Sequence, residues 1–254
     1  MPTIYAMLNA LPREIKPYTS SLRYGICGAA PASAELLKKF EARFGFPLLE
    51  GYGLSEGTCA STINPFDGRR KVGTVGLPFI GQHIAIADPS GLHLPQGAIG
   101  EVLVKGPNVM RGYLGKPEET AKTIVGGWLH TGDIGRIDED GYLAIVGRLK
   151  EMIIRGGENI YPKEIEDALF EFPGVLEAAV IGAPHETLGE IVVAYVAFRS
   201  GFAGTQQSLN EHCTDRLTRY KRPSTINIID SLPKNALGKV DKLWLRKMWT
   251  EWVD

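Results

Sequence analysis

Cysteine is scarce in this sequence: Cys27, Cys59 and Cys213 are the only three in 254 residues, too few and too scattered for a disulfide framework. They form no CxxC pair and the five histidines show no HxxxH spacing, so the expectation is reduced thiols and no zinc site. Net charge is nearly absent, because 28 Lys and Arg against 29 Asp and Glu leave −1. No field of one sign exists to draw in nucleic acid or an anionic membrane surface. No apolar run approaches the ~18 residues of a membrane span. Residues 1–15 lack the basic start and small-residue cleavage site of a secretory leader, which predicts a cytoplasmic chain without stable membrane insertion. Oligomeric state leaves no readable mark.

What the sequence has in excess is glycine. Its 30 glycines are about 12% of the chain against a usual ~7%, with no strict period, which excludes collagen and implies many turns. The length suits one large domain or two ordinary ones.

The hydrophobic pattern predicts a strand over 22–26, then a helix capped by Ser33 with Leu36, Leu37, Phe40 and Phe44 at helical spacing. Gly45 stops the helix and 47–51 reads as the next strand. If the two strands are parallel neighbours, 27–30 and 52–57 both sit at carboxyl ends, the edge where open α/β sheets bind ligands. From about Val72 the texture becomes β-rich, with alternating runs near Ile84 and at 101–105, and with a hairpin at Asp138-Glu139-Asp140-Gly141. Beyond Lys150 the pattern predicts a strand at 151–154, a helix opened by Pro162, and strands at 177–181 and 191–198. A helix over 208–220, a strand at 226–229 and a terminal helix complete an α+β unit.

Two familiar nucleotide motifs fail on inspection. Gly51-Tyr52-Gly53 opens like a dinucleotide loop, but the third glycine arrives one residue late and Glu56 stands where phosphate needs room. Gly238-Lys239 lacks the Ser or Thr and the upstream glycine of a Walker loop.

Taken together and in order, however, LLEGYGLSEGT (48–58), WLHTGDIGRIDEDGYLAIVGRLKEMIIRGGENIYPKEIE (128–166) and PKNALGKVDK (233–242) resemble the central and C-terminal motifs of the adenylate-forming superfamily. GGENIYPKEIE and CGAAPAS (27–33) look most like its fatty- and aryl-acid CoA ligases. The resemblance implies a fold of α/β and α+β parts. Residues 1–149 would be the C-terminal part of a large AMP-binding domain (1–71 α/β, 72–149 β-rich), and 150–254 a mobile small domain that folds independently.

The chemistry implied is ATP-dependent ligation. A small-molecule carboxylic acid attacks the α-phosphate of ATP, pyrophosphate leaves, and the thiol of coenzyme A displaces AMP, so charge must be neutralised at phosphate in both steps. By resemblance Glu56 helps hold Mg²⁺, while Ser55, where the family more often has Thr, touches phosphate oxygen. Tyr52 stacks on adenine, Gly28-Ala29-Ala30 and Glu50-Gly51-Tyr52-Gly53 frame the nucleotide, and Asp133 and Arg148 contact the ribose. Alone, Glu56 would read as a solvated loop carboxylate and Asp133 as a β-turn aspartate. Lys239 would bridge carboxylate and phosphate oxygens during adenylation, Lys150 would be the hinge between half-reactions, and Gly156-Gly157 would line the path of the thiol.

The family's Ser/Thr/Gly-rich phosphate loop, ending Pro-Lys-Gly, is not among these residues, and little or no adenylation is expected of the chain alone. Three readings stay open: the C-terminal portion of an acyl-CoA ligase, with a fatty acid as its expected substrate; a non-catalytic AMP- or CoA-binding module; or an adenylation domain that loads a carrier protein.

Overall fold

The computed structural model describes residues 2–253 apart from Lys16, Pro31 and Leu237, so Pro31 of CGAAPAS and Leu237 of PKNALGKVDK lie outside the described residues. The chain divides into two compact units, Met1–Ile145 and Val146–Asp254.

The first unit opens with α1 (Pro2–Ala10), β1 (Gly25–Cys27), α2 (Ala34–Phe44) and β2 (Leu48–Tyr52). Ser33 accepts a hydrogen bond from the Leu36 amide to start α2, and Gly45, at φ 77°, ends it in the left-handed conformation. The apolar face of α2 (Leu37, Phe40, Phe44) buries against Cys27 and Leu48, and Tyr5 of α1 meets Phe40 edge-on at 4.9 Å. With a helix as the crossover, β1 and β2 run parallel, Gly25 opposite Leu48 and Cys27 opposite Glu50. β3 (Thr62–Ile63) and β4 (Leu77–Pro78) extend this sheet antiparallel. The strand expected over 22–26 forms instead as Gly25–Cys27, the residues that pair with β2.

A second sheet follows from β5 (His83–Ala87) and β6 (Gly100–Lys105), then α3 (Pro117–Thr123), β7 (Ile124–Val125), β8 (Trp128–Ile137) and β9 (Leu143–Arg148). Its order is β5-β6-β8-β7, with β9 paired to β8. The hairpin turn forms where Asp138 Oδ1 accepts from the amides of Asp140 and Tyr142 at 3.0 and 2.9 Å.

In the second unit a 3₁₀ turn (Leu149–Glu151) leads into β10 (Ile153–Arg155), β11 (Glu158–Ile160), α4 (Pro162–Phe170), β12 (Val175–His185) and β13 (Gly189–Phe198). α5 (Gln206–Arg216), β14 (Thr225–Ile228) and α6 (Lys242–Val253) complete it. The sheet order is β11-β10-β13-β12, with β14 parallel on β13. Alternate residues of β13 point to opposite faces: Val192, Ala194 and Val196 join the core that includes Ile165, Leu169 and Leu209, while Val193 and Tyr195 join Leu245 on the other face. Both faces being covered, β12 and β13 run longer than the expected 177–181 and 191–198.

Other boundaries also move. α5 starts two residues early because Thr205 and Ser208 cap it reciprocally, and it stops at Arg216 instead of 220. The strand expected at 151–154 gives way to the 3₁₀ turn and β10. No helix among the described residues is long and apolar enough to cross a membrane.

Candidate functional site

The carboxyl ends of β1 and β2 lie side by side, and the loops that leave them are built on close backbone contacts. A Cβ on Gly28 would stand 3.0 Å from the Gly51 carbonyl oxygen, and one on Gly53 would collide with the Cys59 carbonyl at 2.1 Å. Ala29 (φ 67°), Thr58 (52°) and Cys59 (76°), the non-glycine residues of positive φ among those described, all fall in these two loops. Each such conformation costs about 1–3 kcal/mol and persists only where surrounding contacts impose it. Here those contacts are visible: Asn108 Nδ2 donates to the Gly57 carbonyl at 2.9 Å, Thr58 Oγ1 to the Asn108 carbonyl at 2.5 Å, and the Met110 amide to the Glu56 carbonyl at 2.8 Å.

Glu50 is buried in the middle of β2, and its Oε1 accepts from the Ala32 amide at 3.0 Å. Its carboxylate thereby braces the loop that carries Ala29 and Ala30, both exposed. Tyr52 packs partly against the Ile86, Val102 and Leu143 cluster, and its hydroxyl donates to Asp133 Oδ2 at 2.6 Å. Asp133 is 4% exposed and lies within β8, so it is not the solvated aspartate of a β-turn. Residues 81 positions apart are joined here by one short hydrogen bond.

Ser55 and Glu56 start a 3₁₀ turn (Ser55–Gly57), with Ser55 exposed. Glu56 Oε1 accepts from the Tyr113 hydroxyl at 2.9 Å, and that bond, with some burial, pushes the Tyr113 pKa upward. Beside it is a cavity of about 250 Å³ lined by Glu56, Tyr113, Lys122, His130 and Thr131 among others. A wider opening of about 460 Å³ lies over α5, but Gln206, Asn210 and Thr214 there belong to one helix face and converge on nothing. Among the described residues no three His, Cys, Asp or Glu side chains gather as a metal cage. Ser55 and Glu56 do offer hard oxygen donors, and a magnesium ion carried by phosphates asks only one or two carboxylates of a protein.

The remaining candidates lie in the second unit, at the end of a strand and in separate turns. Arg148 ends β9 and Lys150 is in the 3₁₀ turn that follows. Gly156 and Gly157, at φ 59° and 88°, close the β10–β11 hairpin, where the Gly156 amide donates to the Leu188 carbonyl at 2.8 Å. Lys239 is exposed in a turn held by Asn235, which donates its amide to the Lys239 carbonyl at 2.8 Å and accepts the Lys239 amide on Oδ1 at 3.1 Å.

Two residues at the first unit's site carried no local signal. Tyr113 reaches Glu56 across 57 positions, and Asn64 donates to the carbonyls of Glu50 and Thr74 at 3.3 and 2.8 Å, fastening the excursion between β3 and β4. Replacing Tyr52 by phenylalanine is expected to lower the unfolding free energy by about 1 kcal/mol. Urea unfolding checks this, and an unchanged midpoint would mean that the hydroxyl contributes nothing to the fold.

Residues 1–114 match the family model of AMP-binding enzymes, and residues 164–239 match that of the AMP-binding enzyme C-terminal domain. The chain is 40% identical over 248 residues to a feruloyl-CoA synthase of Amycolatopsis sp, covering 97% of this chain and 50% of that one. It is 40% identical over 252 residues to a long-chain-fatty-acid–CoA ligase of Bacillus subtilis (strain 168), covering 98% and 45%. The crystal structure of ATP-bound MatB from Rhodopseudomonas palustris superposes with a TM-score of 0.91 at 41% identity, covering 98% of this chain and 50% of that one. The chain spans about half the length of the curated relatives it matches.

Proposed function

Because the chain belongs to the AMP-binding enzyme family, we propose that it is the portion of an ATP-dependent acid–CoA ligase that holds AMP and passes the acyl group to coenzyme A. The observation that carries this reading is the 2.6 Å bond from Tyr52 to Asp133, which joins the open end of β2 to β8. It sets an aromatic ring next to a buried carboxylate, a pairing suited to an adenine face and the vicinal hydroxyls of its ribose.

In this reading Asp133, with Arg148, fixes the ribose, and the close backbone at Gly28 and Gly51 admits the flat base. Ser55 would donate to phosphate and Glu56 would hold magnesium, which when bound spreads the negative charge of the phosphates. Lys239 presents its ammonium to the carboxylate and phosphate oxygens, where a compact charge lowers the cost of bringing two anions together. Lys150 serves as the pivot between half-reactions, after which Gly156 and Gly157 give the narrow thiol arm room beside the backbone. The acid is proposed to be a fatty acid, supported by the ligase of B. subtilis and set against the aryl substrate named for the feruloyl-CoA synthase. Three cysteines free of disulfides suit a reducing cytoplasm. No Ser/Thr/Gly-rich phosphate loop occurs among the 254 residues, so the chain alone is proposed to form little acyl adenylate.

Acid-dependent exchange of labelled pyrophosphate into ATP tests this, run on the chain and on a version joined to such a loop, with a panel of fatty and aromatic acids. Exchange by the joined protein with at least one acid is the expected result. No acyl adenylate from any acid, with Lys239 intact, overturns the ligase reading and leaves a non-catalytic nucleotide-binding module.

A further inference from the structure

We propose that Glu101 is a positioning residue that grips the bulge of β8 and so holds Asp133 at the ribose, an inference that rests on the nucleotide reading above. Glu101 is paired with Ile134 and Leu103 with His130, so a single residue of β6, Val102, faces three of β8: Thr131, Gly132 and Asp133. Those three residues leave the regular ladder, and a bulge of this kind strands backbone amides that something else must satisfy.

Glu101 uses both carboxylate oxygens for that purpose. Oε1 accepts from the Gly132 amide at 2.9 Å, and Oε2 takes the His130 Nδ1 hydrogen at 2.8 Å. A carboxylate can only accept, so His130 must present N–H at Nδ1, which fixes its ring. Thr131 works beside it: its hydroxyl donates to the Val102 carbonyl at 2.7 Å and accepts from the Asp133 amide at 3.1 Å. Gly132 at φ 68° supplies the left-handed bend. The amides of Gly132 and Asp133 are thus both held by side chains in place of a neighbouring strand, and Glu101 is the charged member of the pair. Its side chain is 18% exposed, so water competes little for these bonds.

Asp133 cannot hold its carboxylate toward a ribose unless its backbone is fixed, and Tyr52 grips only the far end of the side chain. Removing an outer residue that orients a ligand-holding one typically costs about 10- to 100-fold in affinity or activity. The test compares AMP with 2′,3′-dideoxy-AMP by calorimetry, alongside amide hydrogen exchange at Gly132, in the wild-type chain, Glu101→Gln and Glu101→Ala. Glu101→Ala is expected to weaken AMP about 10- to 100-fold, leave the dideoxy nucleotide unchanged, and expose the Gly132 amide to at least ~10-fold faster exchange. Glu101→Gln keeps the Oε1 acceptor and should fall between, which also serves if the alanine variant fails to fold. Wild-type protection at Gly132 or unchanged AMP affinity in Glu101→Ala, or wild-type values of both in Glu101→Gln, overturns the proposal. A wild type that binds both nucleotides equally overturns the ribose reading instead, and exchange at Gly132 still decides whether Glu101 grips the bulge.

Discussion

Replacing Lys239 with alanine is expected to slow acyl-adenylate formation by about 10²- to 10³-fold, the size of effect seen when one positioned charge is removed from a developing anion. The assay is pyrophosphate exchange in the protein that carries the phosphate loop. Thioester formation from a supplied acyl adenylate should be largely spared, because Lys239 serves only the first half-reaction in the proposed scheme. The structure makes this a clean experiment. The turn's shape comes from backbone and Asn235 contacts, with Gly238 at φ 73° and a bridge between Lys234 and Val240 at its base, none of which uses the Lys239 ammonium. Stability should therefore change by no more than about 0.5 kcal/mol. Equal loss of both half-reactions would remove the assignment of Lys239 to adenylation.

Lys242, three residues on, should behave in the opposite way. Its ammonium lies 2.8 Å from Glu151 Oε2 and 2.8 Å from Glu166 Oε1, with 18% of its side chain exposed, and Glu166 also accepts the Val180 amide at 2.9 Å. Lys242→Met leaves two carboxylates facing each other in a mostly dry site. A loss of about 3–5 kcal/mol is expected for the second unit, read by urea unfolding through Trp249, which packs on its core. Lys242→Arg should restore most of it, and a loss under ~1 kcal/mol would mean that both carboxylates regain water at little cost.

The same cluster sets a pH signature. Burial alone would raise the Glu151 pKa, but the attraction and hydrogen bond of Lys242 outweigh it and hold the value below the ordinary 4.5. Its contribution to stability is present above about 4.5 and is lost as pH falls through the lower folded value. Burial alone would lower Lys242, but Glu166 and Glu151 outweigh it and raise the value above 10.5. That contribution is present below about 10.5 and is lost as pH rises through the folded value. The melting temperature of the wild-type second unit should fall at both ends, and Lys242→Met should flatten the alkaline limb.

Legibility in the sequence tracked the range of the interactions. Ser33 and Gly45 marked the ends of α2 correctly because capping and the left-handed bend are settled within four residues. The parallel pairing of β1 with β2 was only a condition in the sequence and is met in the structure, while the hairpin at Asp138 was readable from its turn residues. α1 was not foreseen: Ile4 and Met7 are exposed, and the helix is held through Tyr5 and Leu8 against α2, a contact that local pattern does not carry. The early start of α5 leaves little trace in the sequence because Ser208 stands where a capping box more often shows Glu or Gln.

The motifs by themselves determined the family and put forward the residues proposed for nucleotide and phosphate: Tyr52, Ser55, Glu56 and Asp133, and the lysine between Gly238 and Val240. Each is a property of short stretches of chain, where spacing suffices. Only the tertiary structure decided which of them meet. Tyr52 touches Asp133, Tyr113 touches Glu56 and Glu101 secures the bulge before Asp133, across separations of 81, 57 and 31 residues. Those contacts depend on strand register and on a bulge in β8, which are set by how whole sheets bury their faces and not by any local preference.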